Sequence, residues 1–414
     1  MAPPVALGAL NLEVCSLIFP VLFPNAVPPS AASKIISEHP GPARRFCFPG
    51  FRVGSNLYSE LESWFHSRAL DNLQELHIRY DYTSVPPASS YPLLLPSLLR
   101  SAPTLLVLRI SHINFPDQIA PYMSFPLLKQ LSLLNLSISG AVFHGLLSGC
   151  HVLESLFVSE VRAEGCLRVT SSTLRSIVFQ DKPGARTELV IEDTPRLERL
   201  LLLNIQTSGC RTIRIMSAPK LEILGTFSPD LSKLQVFKGL SPVSLANPMR
   251  TVKVLAVDSY LSQLNAVLSV LGWFPCLEKL YVTFRRGHGM VKKYQLQCDP
   301  LHPIECLQTH LEKLVLRDYS GHEHQVDFAR FFVLNAKVLR KIEFQAHGDY
   351  SYEPVAYQDK RLQVGNRASQ DVQFEIRSNC SSPDYHLYRH IHDFSLGDPF
   401  RKMPEHCTAS CRRL

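Results

Sequence analysis

Cysteine and histidine side chains recur at a spacing of four residues in one stretch of the sequence. The set comprises Cys298, His302, Cys306 and His310. These residue types bind zinc when four of them converge on one tetrahedral point. Pro300 and Pro303 interrupt any helix that could align them. Cys306 also lies in an apolar stretch, where burial in the core is enough to explain a cysteine. We therefore predict no metal site and no cofactor.

A second group of such residues lies near the end of the chain. It comprises His386, His390, His392, His406, Cys407 and Cys411. Their spacing fits no common zinc motif. We therefore expect residues 379–414 to form a flexible, solvated C-terminal tail.

Motifs that carry catalysis do not occur in the sequence. There is no phosphate-binding G-x-x-x-x-G-K-[ST] loop, no G-x-S-x-G elbow and no H-E-x-x-H helix. The sequence "GHG" at 287–289 is too short for a dinucleotide loop. It lies among the basic residues Arg285, Arg286, Lys292 and Lys293. A solvated loop or a contact with an acidic or nucleic-acid partner would both fit them. We predict a protein that is not an enzyme.

Charge and cysteine usage describe an ordinary globular protein. The net charge of +7 is small for 414 residues, so we expect no nucleic-acid partner. Eleven cysteines are spread without a disulfide framework, as in proteins with reduced, buried thiols. The apolar run at 14–23 is interrupted by Pro20, is followed by Pro24 and has no preceding basic residue, and no stretch is long enough to span a membrane. We therefore expect a cytoplasmic or nuclear location and no membrane contact.

An L-x-x-L-x-L pattern recurs along most of the chain. Copies begin at Leu73, Leu105, Leu128, Leu153, Leu174, Leu197, Leu277, Leu311 and Leu339, and weaker ones at Leu221 and Val252. The clearer copies lie 21 to 34 residues apart, which is typical of leucine-rich repeats. Their number and related spacing predict an α/β solenoid built from parallel strands.

Alternation within each copy predicts which side chains form the core. In the third copy Leu131 and Leu133 point inward, and Leu134 points the other way. Parallel strands need crossovers, which are usually helices. Apolar spacing predicts helices over 57–65, over 140–150 with Gly149 closing it, over 261–271, and after an N-cap at Asp327. The polar ladder residue that regular repeats carry is replaced by Leu136 and Ile205, which favours an irregular array.

The sequence also resembles a known plant family. Residues 303–344, with "HLEKLVL", the "YSG" turn at 319–321 and "VDFARFFVLNAKVL", resemble the FBD module of F-box/leucine-rich-repeat proteins, and "HIHDFSLGDPF" at 390–400 resembles the tail of grass members. The expected fold is therefore α/β, an irregular leucine-rich-repeat solenoid of parallel strands with helical crossovers that ends in an FBD module. The predicted segments are an entry segment at 1–50, repeats at 51–300, the FBD module at 301–378 and the tail at 379–414.

The resemblance implies a non-catalytic module that selects a protein for an SCF-type ubiquitin ligase. Nothing in residues 1–31 resembles the F-box that docks the ligase adaptor. Either the F-box is lost or the sequence is truncated, so we expect adaptor binding only if an F-box is supplied. The alternative function is a stand-alone scaffold or decoy that never engages the ligase. In both cases the target is a protein that the sequence does not identify.

Outward residues of the predicted strands are the candidate partner-binding side chains. After a polar first unit with Glu75, His77 and Arg79, they are Leu134, Phe157, Val178, Leu201, Leu203, Lys279, Tyr281, Lys313, Arg317 and Lys341. An apolar centre beside a basic end suits protein docking. Cover by a loop or neighbouring segment would equally explain the apolar residues, and plain solvation would explain the charged ones.

Overall fold

The computed structural model describes 16–18, 29–39, 41–52, 57–81, 96–180, 188–203, 213–227, 234–238, 241–260, 264–285, 303–347, 360–379, 391–395 and 397–401. The chain divides into two compact units, Met1–Leu153 and Glu154–Leu414. This division lies inside the segment predicted to hold the repeats, 51–300. The predicted segment boundaries are not tested by it and stay predictions.

The first unit stacks parallel strands in chain order, β1-β2-β3-β4-β5. Its strands are β1 Ser16–Ile18, β2 Arg45–Arg52, β3 Glu75–Asp81, β4 Val107–Ser111, β5 Gln130–Leu134 and β6 Ser137–Ser139. Its helices are α1 Pro29–Glu38, α2 Leu57–Phe65 and α3 Gly140–Ser148, with 3-10 turns at Arg68–Leu70, Pro96–Ser101 and Asp117–Tyr122. Each strand-to-strand connection returns the chain for the next parallel strand.

The second unit contains two sheets. The larger is parallel throughout and has the order β7-β10-β12-β14-β17-β18-β19-β20-β21. Its strands are β7 Ser155–Ser159, β10 Ser176–Gln180, β12 Arg199–Leu203, β14 Ile223–Phe227, β17 Val254–Tyr260, β18 Lys279–Arg285, β19 Lys313–Tyr319, β20 Lys341–His347 and β21 Gln373–Asn379. The helices are α4 Leu264–Leu271, α5 Glu305–Thr309 and α6 Glu323–Asn335, with a 3-10 turn at Val364–Asn366.

The repeated leucines form the core, as the pattern predicts. In the copy that begins at Leu311, Leu314 and Leu316 are fully buried with it, and the other copies repeat this burial. Burying a leucine side chain contributes about 2 kcal/mol relative to leaving it exposed. Since each copy buries its leucines against its neighbours, the stack and not the single copy is the stable unit.

The helix predictions agree with the described residues except at the start of α6. Helices α2 and α3 occupy the predicted stretches, and Gly149 is the C-cap of α3. Helix α4 is described from Leu264, and 261–263 lie outside the described residues. The N-cap predicted at Asp327 is wrong, because α6 begins at Glu323 and Asp327 lies inside it. There its carboxylate pairs with Arg330, 2.6 Å away and one helical turn on.

Strands replace helices as crossovers in the middle of the second unit. The short strands β8 Arg162–Glu164, β9 Cys166–Thr170, β11 Glu188–Asp193, β13 Ile213–Ile215, β15 Leu234–Lys238 and β16 Ser241–Pro242 lie between strands of the large sheet. Strands β9, β11, β13 and β15 pair in parallel into a second sheet. Period-two alternation explains this, since Leu167 and Val169 are buried and Arg168 and Thr170 are exposed.

Backbone carbonyls connect successive copies at the start of the strands. The Arg175 carbonyl accepts the N–H groups of Glu198 and Arg199, at 2.9 and 3.0 Å. The Glu222 carbonyl accepts two N–H groups of the next copy in the same way. The same arrangement recurs at Arg44, Gln74, Leu106, Glu154, Glu198, Lys253, Glu278 and Glu312. Because the acceptor is main chain, this carbonyl ladder needs no particular side chain.

Candidate functional site

The candidate site is the outward face of the large sheet in the second unit, here called the strand face. Strand register aligns its side chains in rows that cross the strands. Phe157, Val178 and Leu201 share one row. Lys279, Lys313 and Lys341 share another, farther along the sheet. The structure therefore brings the predicted apolar and basic residues onto one face, in the order that the sequence predicts.

The apolar part of the strand face is not exposed. Phe157, Val178, Leu201 and Leu203 are all buried. Leu134, in the first unit, is half-buried. The alternative of a covered face is correct for these four residues. Their role in binding a partner stays a prediction.

The chain's own C-terminal segment, residues 391–395 and 397–401, lies on this face. Its first half crosses β7 and β12. His392 Nδ1 and Ser155 Oγ hydrogen-bond at 2.7 Å. Arg199 donates to the carbonyl oxygens of Asp393 and Phe394, at 3.1 and 3.3 Å. The guanidinium carbon of Arg175 lies 4.5 Å from the centre of the Phe394 ring, and that of Arg199 lies 5.1 Å from it.

The second half of the C-terminal segment lies on β18 and β19. Tyr281 Oη donates to Asp398 Oδ2 at 2.8 Å, and Lys279 Nζ lies 3.5 Å from the same oxygen. Burial and the Asp398 carboxylate raise the pKa of Tyr281, so the phenol stays a donor. Phe400 is buried, with its ring centre 5.5 Å from that of Tyr281, and Arg317 donates to its carbonyl. A solvated tail, as expected from the sequence, is therefore wrong for this segment.

Acidic partners neutralise the basic end of the strand face. Lys313 Nζ lies 3.1 Å from a Glu343 oxygen, and Lys341 pairs with Glu375. Burial alone would raise the pKa of Glu343, but the hydrogen bond from Gln345 and the charge of Lys313 outweigh it and lower the pKa. The predicted cluster of cations is thus an alternating network of charges, which weakens any long-range attraction for anions.

A polar cluster lies on the outward side of β2, β3 and β4 in the first unit. Cys47 Sγ lies 3.8 Å from His77 Nδ1. Burial, with the charges of Arg109 and Arg45, lowers the pKa of His77 to about 3. Burial raises the pKa of the Cys47 thiol. A nucleophilic cysteine needs the opposite pair of shifts, towards a thiolate beside an imidazolium, so this pair is not set up as a nucleophile and base.

The zinc candidates are only partly described. Cys298 and His302 lie outside the described residues, as do the flanking residues of the "GHG" loop apart from Arg285, which pairs with Asp258 at 3.2 Å. Cys306 is fully buried, and burial raises its pKa to about 12. Among the described residues no three histidine, cysteine or carboxylate side chains form a metal-binding cluster.

Free thiols occur among the described residues in two settings. Cys150 and Cys306 are buried, as expected from their apolar neighbours, and burial raises the pKa of Cys150 to about 12. The thiols of Cys47, Cys166 and Cys276 are half-buried, which the sequence did not indicate. All five are free cysteines.

Sequence patterns missed the residues that hold the C-terminal segment. On the sheet these are Ser155, Arg175 and Arg199, and on the segment Asp393, Phe394, Asp398 and Phe400. One signal was available. The segment alternates acidic and aromatic residues, and the strand face offers arginines, a lysine and a tyrosine at matching places. Complementary composition of this kind indicates contact between distant segments, although it gives no register.

Comparisons with known proteins match two parts of the chain to family models. Residues 61–282 match the family model of the leucine-rich repeats of the FBD-associated F-box protein At5g56370. Residues 299–344 match the FBD model. The first match covers more than half of the chain. In the described residues no helix has the length and apolar character needed to cross a membrane.

Two Arabidopsis thaliana proteins are similar over most of the chain. The putative FBD-associated F-box protein At5g50270 is 25% identical over 321 residues, which is 70% of this chain and 76% of that protein. The F-box/FBD/LRR-repeat protein At5g56570 is 24% identical over 265 residues, which is 60% of each chain. Both names include the FBD module, and the second also names the leucine-rich repeats.

Proposed function

Because the chain belongs to the leucine-rich-repeat family of FBD-associated F-box proteins, we propose that it recognises a protein partner for an SCF-type ubiquitin ligase. The observation that carries the proposal is the presence of the repeats and the FBD module in one chain. A parallel stack of this kind presents a broad face of side chains, and such faces are used for protein recognition. Recognition by such a face needs no reactive group.

A stand-alone scaffold or decoy is the second candidate function. It would bind the same targets and leave them without ubiquitin. The two candidates differ in whether the chain is accompanied by an F-box, since that module docks the ligase adaptor. We further propose that recognition takes place in the cytoplasm or nucleus, which the distribution of a fluorescent fusion would test.

Proximity labelling in plant cells tests the proposed function. Two baits are compared, the chain itself and the chain with an F-box grafted before residue 1. We expect both baits to label one common set of proteins, and only the grafted bait to label the ligase adaptor and to lower the abundance of members of that set.

Two other outcomes have clear meanings. If the ungrafted chain also labels the adaptor, ligase recognition does not depend on a grafted F-box and the decoy candidate is wrong. If neither bait labels proteins beyond a cytosolic control, protein recognition itself is wrong.

A further inference from the structure

Two arginines of the strand face bind main-chain carbonyls of the C-terminal segment. Arg199 donates to two successive carbonyls, those of Asp393 and Phe394, and Arg317 donates to that of Phe400. Both arginines are almost fully buried. A buried guanidinium is costly without acceptors, and the carbonyls of the segment that covers these arginines supply acceptors. A carbonyl is present at every residue, so these contacts hold a peptide without selecting its sequence.

Three other contacts select side chains. Phe394 lies against the guanidinium groups of Arg175 and Arg199, a cation–π arrangement that requires an aromatic ring. Asp398 accepts from Tyr281 and pairs with Lys279. Its carboxylate is 9% exposed, so a neutral or basic residue there would leave the phenol and the ammonium without their acceptor.

Phe400 occupies a buried position against Tyr281. The contacts thus specify a segment with an aromatic ring, an acid four residues later and a second aromatic ring two residues after that. The segment is not a strand of the sheet and follows its last strand, β21. The segment therefore binds a sheet to which it contributes no strand, and side-chain contacts hold it there.

We infer that the strand face recognises partner proteins through an acidic segment with two aromatic side chains, and that residues 391–395 and 397–401 are the chain's own copy of this ligand. This inference rests on the proposed function, since it names the chemistry of the partner. A partner must displace the C-terminal segment to bind. Because the strand face carries basic side chains, complementary charge favours an acidic partner segment over basic or purely apolar peptides.

Tethering makes the C-terminal segment a strong competitor. A segment on the same chain acts at an effective concentration on the order of millimolar, so a free peptide with the same contacts binds the intact chain weakly. Removing the two rings from the tethered copy removes the competition and leaves the strand face unchanged.

The test uses the full chain and a fluorescein-labelled synthetic peptide with the sequence of residues 390–401, HIHDFSLGDPFR. Fluorescence anisotropy compares the wild-type chain with the double variant Phe394→Ala, Phe400→Ala. We expect the double variant to bind the peptide at least about 10-fold more tightly than the wild type does. A scrambled peptide should bind neither chain.

Gly397→Ala is the matched control, because it changes the same segment and its added Cβ meets no atom within 4 Å. It should bind the peptide as weakly as the wild type. In the double-variant background, Lys279→Glu should weaken binding at least about 10-fold, because a half-exposed lysine can be reversed without loss of the core. A peptide with lysine in place of the aspartate at position 398 should recover part of that loss, because it restores the opposite charges but gives Tyr281 no acceptor.

Two results would overturn the inference. One is equal binding of the peptide and its scrambled form by the double variant. The other is loss of cooperative thermal unfolding in the double variant, which would show that the segment is part of the core. If the peptide fails while proximity labelling still finds partners, only this inference fails, and protein recognition by the chain stands.

Discussion

At the residue scale, burial on the outward face of the strands changes what polar side chains can do. His77 lies beside Cys47 and two arginines, and burial with their charges keeps its imidazole neutral. Arg199 and Arg317 stay on a buried face because carbonyls of a distant segment accept their N–H groups. An outward-pointing strand side chain can therefore be buried in this protein, although others, such as Arg79, are exposed.

The depressed pKa of His77 predicts a pH dependence of stability. Its pKa is about 3 in the folded chain and about 6.5 in the unfolded chain, so between these values the unfolded chain binds more protons. Stability should therefore fall as pH falls from about 6.5. With solvent screening of this half-buried ring, the wild type should lose about 1 kcal/mol more between pH 7 and 5 than His77→Gln does.

Urea unfolding of the wild type and of His77→Gln at pH 7 and pH 5 measures this difference in the free energy of unfolding. His66→Gln is the matched control, since His66 is exposed on the surface of the same unit. It should show the pH dependence of the wild type. Identical pH dependence in the wild type and in His77→Gln would contradict a neutral His77 in the folded chain.

At the element scale, the connections between strands decide how closely segments approach. Helix α3 ends at Gly149, whose carbonyl accepts the Phe125 N–H at 2.9 Å. A Cβ on Gly149 would lie 2.1 Å from the Met123 carbonyl oxygen. That oxygen belongs to the main chain, so it cannot rotate away as a flexible side chain could.

Gly149→Ala should therefore destabilise the chain by about 2–3 kcal/mol, through overpacking of one backbone against another. Gly41→Ala is the control, because its added Cβ meets no atom within 4 Å, and it should change stability by less than about 0.5 kcal/mol. Chemical unfolding of both variants gives the comparison. Equal stability of the two would show that the helix end moves freely.

At the scale of the whole molecule, a stack of similar copies distributes both the core and the surface charge. Each copy buries its leucines, and ion pairs such as Arg175–Glu198 and Lys253–Glu222 follow the carbonyl ladder from copy to copy. The net charge of +7 is therefore spread along the chain, and many of the described cations have acidic neighbours. Surface pairs of this kind add little stability but reduce the field of the molecule.

We accordingly expect no strong binding to plain nucleic acid. Fluorescence anisotropy with a random-sequence DNA duplex and a single-stranded RNA should give dissociation constants weaker than about 10 μM near 0.15 M salt. The affinity should change little between about 0.05 and 0.2 M salt. A loss of about 1,000-fold over that range would indicate several phosphate contacts and would restore nucleic acid as a partner.

The sequence by itself determined the parallel stack, its leucine core, the helices at 57–65 and 140–150 and the family. Each of these depends on contacts within a copy or between adjacent copies, which periodic spacing records. Leu314 and Leu316 are buried because of their place in a repeat, and any similar sequence would bury them in the same way.

The tertiary structure alone decided the cover of the strand face, the strand crossovers of the second unit and the carbonyl ladder. The contact between Ser155 and His392 joins residues 237 positions apart, and no local pattern encodes it. An apolar strand side chain looks the same in sequence whether solvent, a partner or the chain's own end covers it. Only the folded chain, with Phe394 and Phe400 in place, distinguishes these cases.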